Sequence, residues 1–145
     1  MAGRGGHIWG MEFRGAKLAL FLGGELLVIR RDQKPDIPWP GRWDLPGGGR
    51  EGAESPEACV LRETREEVGL VLAASDLVWA RSYRQSNGTV CFFAAEMPGA
   101  LAGQIRFGDE GQGWRLMTAE AYGRDPLAIP HFVTRVGHYL SERGG

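Results

Sequence analysis

A mixed α/β domain is the fold class that this sequence predicts, and three observations carry it. Apolar β-like segments lie ahead of a strongly capped helix, more of them follow it, and an amphipathic stretch closes the chain. At 145 residues the chain has the length of one domain, read here as 1–145 with residues 1–6 as a mobile tail. Its 43% hydrophobic and 24% charged residues are those of a chain that buries a core.

From Ala16, KLALFL and ELLVIRR read as two strands joined by Gly23-Gly24, a two-residue hairpin signal. Three prolines and a glycine make 32–42 a loop, WDL a short strand and PGGGREGAE a second loop. Ser55 is an N-cap, Pro56 fits the first helical position and Gly69 is a stop, so PEACVLRETREEV is the clearest helix. LVWARSY and TVCFFAA follow as strands, with Asn87-Gly88 as the turn between them. GWRLM reads as a strand and TAEAYG as a short helix capped by Thr118. In HFVTRVGHYLSER, Phe132, Val133, Val136, Tyr139 and Leu140 form one helical stripe.

Lys and Arg number 17 against 18 Asp and Glu, which argues against a broad surface for duplex nucleic acid. Cys59 and Cys91 are too few for a disulfide framework or a four-cysteine zinc site, and read as free thiols near the core. No stretch approaches the ~18 apolar residues of a membrane span. A cytoplasmic address and no membrane partner are the expectations.

On the Ser55 helix, Val60, Leu61, Thr64 and Val68 share a core-facing side. Glu63, Glu66 and Glu67 crowd a different side at i, i+3 and i+4. On an exposed helix that repulsion is small, and a solvated acidic face is one reading. Along a cleft with an effective dielectric near ~20, each pair at ~5.5 Å repels by roughly 3 kcal/mol. A hard divalent cation relieves it, and carboxylate oxygens are the ligands it selects.

The wider pattern decides between these readings. From Gly48 the chain runs Gly, five residues, Glu54, seven residues, then Arg62-Glu63, Thr64, Arg65, Glu66-Glu67, Val68, Gly69 and Leu70. This resembles the Nudix box, G-x5-E-x7-R-E-U-x-E-E-x-G-U with U aliphatic, and the preceding WDLPGG is typical of the same family. Thr64 is the one departure, and it bears on packing more than on chemistry. The resemblance implies an α/β/α sandwich around a central mixed sheet. It also implies hydrolysis of a nucleoside diphosphate linked to another moiety, with Mg²⁺ or Mn²⁺. Carried over residue by residue, Glu63, Glu66 and Glu67 bind metal, and Gly47 or Gly48 offers a backbone carbonyl. Glu63 or Glu66 takes the proton of the attacking water. Gly48, Glu54 and Gly69 are structural in the motif. Arg62 ties helix to loop through Glu54 or contacts phosphate directly.

Downstream, GDEGQGWRLM resembles MutT-type nucleoside triphosphate hydrolases, in which a glutamate before Gly-Gln joins the metal site; here it is Glu110. Arg31, in the Arg30-Arg31 pair, is a candidate phosphate or base contact by the same resemblance. That group reads oxidised guanine with an asparagine near the place of His131, and a histidine there weakens the case for 8-oxo-dGTP. Trp39, Trp43 and Phe92 are candidates to stack on a base, Trp43 foremost because it adjoins the Asp44–Gly47 run. The leading expectation is a Mg²⁺-dependent pyrophosphohydrolase that cleaves a small nucleotide, with (d)NTP going to (d)NMP and pyrophosphate. ADP-ribose or a nucleotide sugar is the alternative substrate, and a non-catalytic nucleotide-binding module the alternative class. The oligomeric state is left open.

Overall fold

The computed structural model describes residues 12–143, and the tail expected over 1–6 lies outside them. The strands are β1 (Gly15–Leu22), β2 (Glu25–Arg30), β3 (Trp43–Asp44), β4 (Gly47–Gly49), β5 (Trp79–Gln85), β6 (Gly88–Met97) and β7 (Gly113–Met117). The helices are α1 (Pro56–Val68), α2 (Ala119–Arg124) and α3 (Pro130–Arg143). One mixed sheet runs β3-β2-β1-β6-β5, with β4 paired to β1 and β7 to β2. Its one parallel ladder joins β1 to β6, from Gly15 opposite Val90 to Leu22 opposite Met97.

Both faces of β1 are covered, and its side chains divide by the two-residue period of a strand. Ala16, Leu18, Leu20 and Leu22 pack with Cys59, Val60 and Val68 of α1. Ala19 and Phe21 pack on the opposite face with Phe132, Val136 and Tyr139 of α3. The α/β/α sandwich follows from that division. Both cysteines are buried and free.

The α1 caps form as the sequence indicates. Ser55 Oγ accepts from the Ala58 N–H at 3.1 Å, and Gly69 closes the helix at φ 74° with its N–H on the Arg65 carbonyl. Thr64 is fully buried, and its hydroxyl donates to the Val60 carbonyl at 2.7 Å, so the polar atom is satisfied where an aliphatic residue was expected.

Two expectations are corrected. Gly47–Gly49 is not loop but strand β4, antiparallel to β1. Glycine alone permits the approach: a Cβ on Gly47 would sit 2.1 Å from the Ala16 carbonyl oxygen, and one on Gly15 2.5 Å from that of Gly48. The β5–β6 turn is Ser86-Asn87 rather than Asn87-Gly88, since Gln85 pairs with Gly88.

Glu96 on β6 accepts from the Tyr139 hydroxyl and from Arg143 of α3, and these bonds hold its carboxyl below the usual carboxylate range. A depressed folded pKa means that the stabilisation is present above the unfolded value of about 4.3 and is lost as pH falls through the lower, folded one. Thermal melts of Glu96→Gln between pH 6 and 3 should therefore lose less stability on acidification than the wild type.

Candidate active site

The acidic row of α1 is organised by Arg62. Its guanidinium grips Glu54 twice, Nε to Oε2 at 2.5 Å and Nη2 to Oε1 at 3.1 Å, and Nη2 also donates to the Gly49 carbonyl at 2.9 Å. Nη1 reaches Glu63 Oε2 and Glu66 Oε1, each at 3.1 Å. The paired Arg62 holds Glu54 below the carboxylate range, and Glu54 raises the pKa of Arg62 in return. Lysine cannot reproduce that two-point grip. Arg62→Lys should lower stability by about 1.5–3 kcal/mol, read from urea denaturation, and loosen the loop that carries Gly48 and Gly49.

Glu63 lies against β4 so closely that a Cβ on Gly48 would meet its carboxyl carbon at 2.5 Å. Burial raises the pKa of Glu63, with Arg62 opposing. Glu67 accepts the Gly47 N–H at 2.9 Å. Burial pushes Glu67 up to about 7, against the pull of Lys17 and of that N–H. Glu66 is exposed on the same side. All three line a hollow of about 360 Å³ with Glu51, Asp109 and Glu110.

Glu110 is brought there by the segment before β7. The Gly108 N–H donates to the Glu67 carbonyl at 2.9 Å, the Gly111 N–H to Asp32 Oδ2 at 3.2 Å, and Gln112 Nε2 to the Arg31 carbonyl at 2.7 Å. Glu67 and Glu110 also border a trough of about 190 Å³, whose other charged walls are Arg31, Asp32, Lys34 and Asp44. Arg31 is oriented there by Asp44 Oδ2 at 2.8 Å and by the Pro38 carbonyl at 2.9 Å.

Among the described residues no three His, Cys, Asp or Glu side chains converge closely enough to form a ready-made metal cage. The donors that share the hollow are nonetheless all carboxylates, the hard oxygen ligands that Mg²⁺ or Mn²⁺ takes. Burial leaves Glu63 and Glu67 short of compensating positive charge despite Arg62 and Lys17. That donor set fits a divalent cation.

Sequence reasoning missed Lys17. Its ammonium touches Asp44 Oδ1 and Oδ2 at 3.0 and 3.1 Å, and the Leu45 and Gly47 carbonyls at 3.2 Å each. It therefore holds the carbonyls on either side of the Pro46–Gly47 peptide, whose N–H Glu67 accepts. The available signal was a lone charge in GAKLALFL, a strand otherwise apolar and covered on both faces.

Gly48 and Gly49 also border a third, more apolar hollow of about 330 Å³, together with Pro38, Gln85, His131 and Phe132. His131, second residue of α3, has its pKa lowered by burial and by Arg135. Arg135 is itself buried against the Tyr83 ring, 4.4 Å from its centre, and its Nη1 has no hydrogen-bond partner among the described residues. Trp43 borders none of these hollows. It is 6% exposed, has the guanidinium groups of Arg30 and Arg115 over its ring at 5.5 and 4.9 Å, and receives the Tyr122 hydroxyl on its carbonyl at 2.9 Å. The strand period turns Trp43 into the α3-side core and Asp44 into the cleft, so the expected stacking role for Trp43 is corrected to packing. Phe92 is also core. Trp39 is the exposed one of the three.

Fold and site together define a sandwich in which a loop-helix-loop presents a carboxylate row beside a trough that Arg31 and Lys34 border. The NUDIX domain model matches residues 12–135, and the chain belongs to that family. Its pyrophosphohydrolases act on phosphorus anhydride bonds. An RNA pyrophosphohydrolase of Acidiphilium cryptum (strain JF-5) is 51% identical over 47 residues, which is 32% of this chain and 27% of that protein. A putative 8-oxo-dGTP diphosphatase 2 of Mycobacterium tuberculosis is 40% identical over 55 residues, 38% of each chain. Both matches span well under half of the relative's length. Among solved structures, the MutT protein from Methanosarcina mazei Go1 superposes with a TM-score of 0.74 at 19% identity, covering 92% of this chain and 96% of that one. A C. elegans Ap4A hydrolase gives 0.66 at 17% identity, covering 89% and 99%. These two likenesses speak to the fold. No helix among the described residues is long and apolar enough to cross a membrane.

Proposed function

We propose that this chain is a Mg²⁺- or Mn²⁺-dependent pyrophosphohydrolase acting on a small nucleotide, with (d)NTP going to (d)NMP and pyrophosphate as the leading reaction. The observation that carries this reading is the adjacency of the carboxylate hollow to the Arg31–Lys34 trough, the two sharing Glu67 and Glu110. Phosphate oxygens suit the Arg31 and Lys34 side chains of the trough, and the carboxylates suit the ion that must accompany them. Glu63, Glu66, Glu67 and Glu110 would hold the ion. When bound, it neutralises phosphate charge and lowers the pKa of the attacking water. Arg31 and Lys34 orient the phosphates, and Glu63 or Glu66 accepts the water's proton as the phosphoanhydride P–O bond breaks. Arg62 keeps the row in place through Glu54, Glu63 and Glu66.

The relatives named for RNA pyrophosphate and for 8-oxo-dGTP keep both substrates in view. The experiment is pyrophosphate and phosphate release from a panel of canonical and oxidised (d)NTPs, triphosphorylated RNA, ADP-ribose, nucleotide sugars and dinucleoside polyphosphates, with Mg²⁺ and with EDTA. A metal-dependent substrate in the panel supports the reading. Nucleotide binding without turnover replaces it with a regulatory module. Glu110→Gln should cost about tenfold in kcat, less than losing a carboxylate of α1, because Glu110 stands on an exposed loop.

A further inference from the structure

Trp39 is the one non-glycine residue with positive φ among the described residues, at 53°. Bulky side chains rarely adopt that conformation, and Pro40 after it biases the backbone toward extended geometry. The segment keeps it nonetheless, because it is anchored repeatedly. Arg31 Nε donates to the Pro38 carbonyl at 2.9 Å, the Gly41 N–H to the Asp32 carbonyl at 3.0 Å, and Arg30 Nε to the Gly41 carbonyl at 2.6 Å. Strain that the surroundings maintain on a side chain contributing little to the core points to a role at the surface.

The indole is 39% exposed, against 6% for Trp43 and 8% for Trp79. Its ring centre lies 5.8 Å from that of His131, tilted by 53°, and the Arg42 guanidinium covers it at 5.4 Å. Pro38, which precedes it, and His131, whose ring adjoins it, both border the apolar hollow that reaches Gly48 and Gly49. Burial and Arg135 lower the pKa of His131, the ring beside the indole. The amides of Gln85 and Asn87 border the same hollow.

We propose that Trp39 is a specificity-determining residue that stacks on the nucleobase of the substrate at the rim of this hollow, selecting nucleoside phosphates over other phosphates. This rests on the reading of the chain as a nucleotide pyrophosphohydrolase. An indole face accepts any base, so Trp39 supplies affinity for the nucleoside, and choice among bases falls to polar groups such as Gln85 and Asn87.

The test is calorimetric titration of the Mg²⁺-loaded protein with GMP, AMP and ribose 5-phosphate, for the wild type and for Trp39→Ala, Trp39→Phe and Trp39→Gly. Alanine and glycine should weaken both nucleoside monophosphates about 5- to 100-fold and leave ribose 5-phosphate unchanged, with phenylalanine close to the wild type. Trp39→Gly should melt no lower than the wild type, because glycine accepts the left-handed conformation. On a substrate found in the panel, KM should rise with kcat retained. Unchanged monophosphate affinity in Trp39→Ala overturns the inference, as does equal loss of ribose 5-phosphate, a lowered melting temperature in Trp39→Gly, or no monophosphate binding by the wild type. Turnover by the wild type with KM unmoved in Trp39→Ala defeats this inference alone. Trp39-dependent binding without turnover of any substrate defeats the pyrophosphohydrolase reading and leaves the stacking role standing.

Discussion

Glu67→Gln should lower kcat by about 10²-fold or more while the protein stays folded. Glutamine keeps an oxygen to accept the Gly47 N–H, so the 2.9 Å bond that aligns α1 with β4 survives. What is lost is the negative charge, in a place where burial already pushes the carboxyl up to about 7. Removing a costly buried charge should leave metal-free stability unchanged or higher, which separates a loss of chemistry from a loss of fold. Glu66→Gln should show a comparable loss without the stability gain, since Glu66 is exposed. Steady-state rates at several Mg²⁺ concentrations, with melts of the apo proteins, make the measurement. Full Mg²⁺-dependent activity in both variants would sink the carboxylate-row mechanism.

Lys17→Met should produce the other large effect, through a residue outside the family motif. Asp44 is 6% exposed and receives Lys17, Arg31 and the Leu45 N–H. Taking away the ammonium leaves a buried carboxylate short of a partner, a change that costs about 3 kcal/mol. It also frees the Leu45 and Gly47 carbonyls, which flank the peptide whose N–H Glu67 accepts. Both stability and kcat should therefore fall. Lys17→Met with Asp44→Asn should regain much of the stability, because the unpaired charge is gone, yet recover little activity. Activity returning in step with stability would reduce Lys17 to a fold-supporting residue.

What could be read in advance was local. Ser55, Pro56 and Gly69 each act within a turn of their own position, so the bounds of α1 and the register of its glutamates followed from neighbours in sequence. The mixed α/β class was legible for a similar reason, since strand and helix periods are short, whereas the sandwich came from the family resemblance. Strand β4 was not, because three glycines carry no apolar period and pair only through their lack of side chains. Trp43 and Trp39 look alike in a loop-rich stretch. Only the pairing of β3 beside β2 turns one inward, and only the anchored loop turns the other out. The Lys17–Asp44 contact joins β1 to β3, and nothing in local spacing announces it. The Arg62–Glu54 grip, by contrast, was foreseen because the box itself brings loop and helix together.

The ladder between β1 and β6 has a consequence for how the chain comes into being. A nascent polypeptide holds β1 and β2 long before the residues from Gly88 to Met97 exist, and Gly15 and Leu22 wait for Val90 and Met97. Until then the most apolar strand presents an open edge, the kind of surface on which chains stick to one another. Contacts so distant along the chain favour slow, late collapse over step-by-step folding during synthesis. Messages truncated before Met97 should therefore yield aggregates or substrates for chaperones and proteases, not a partly working protein.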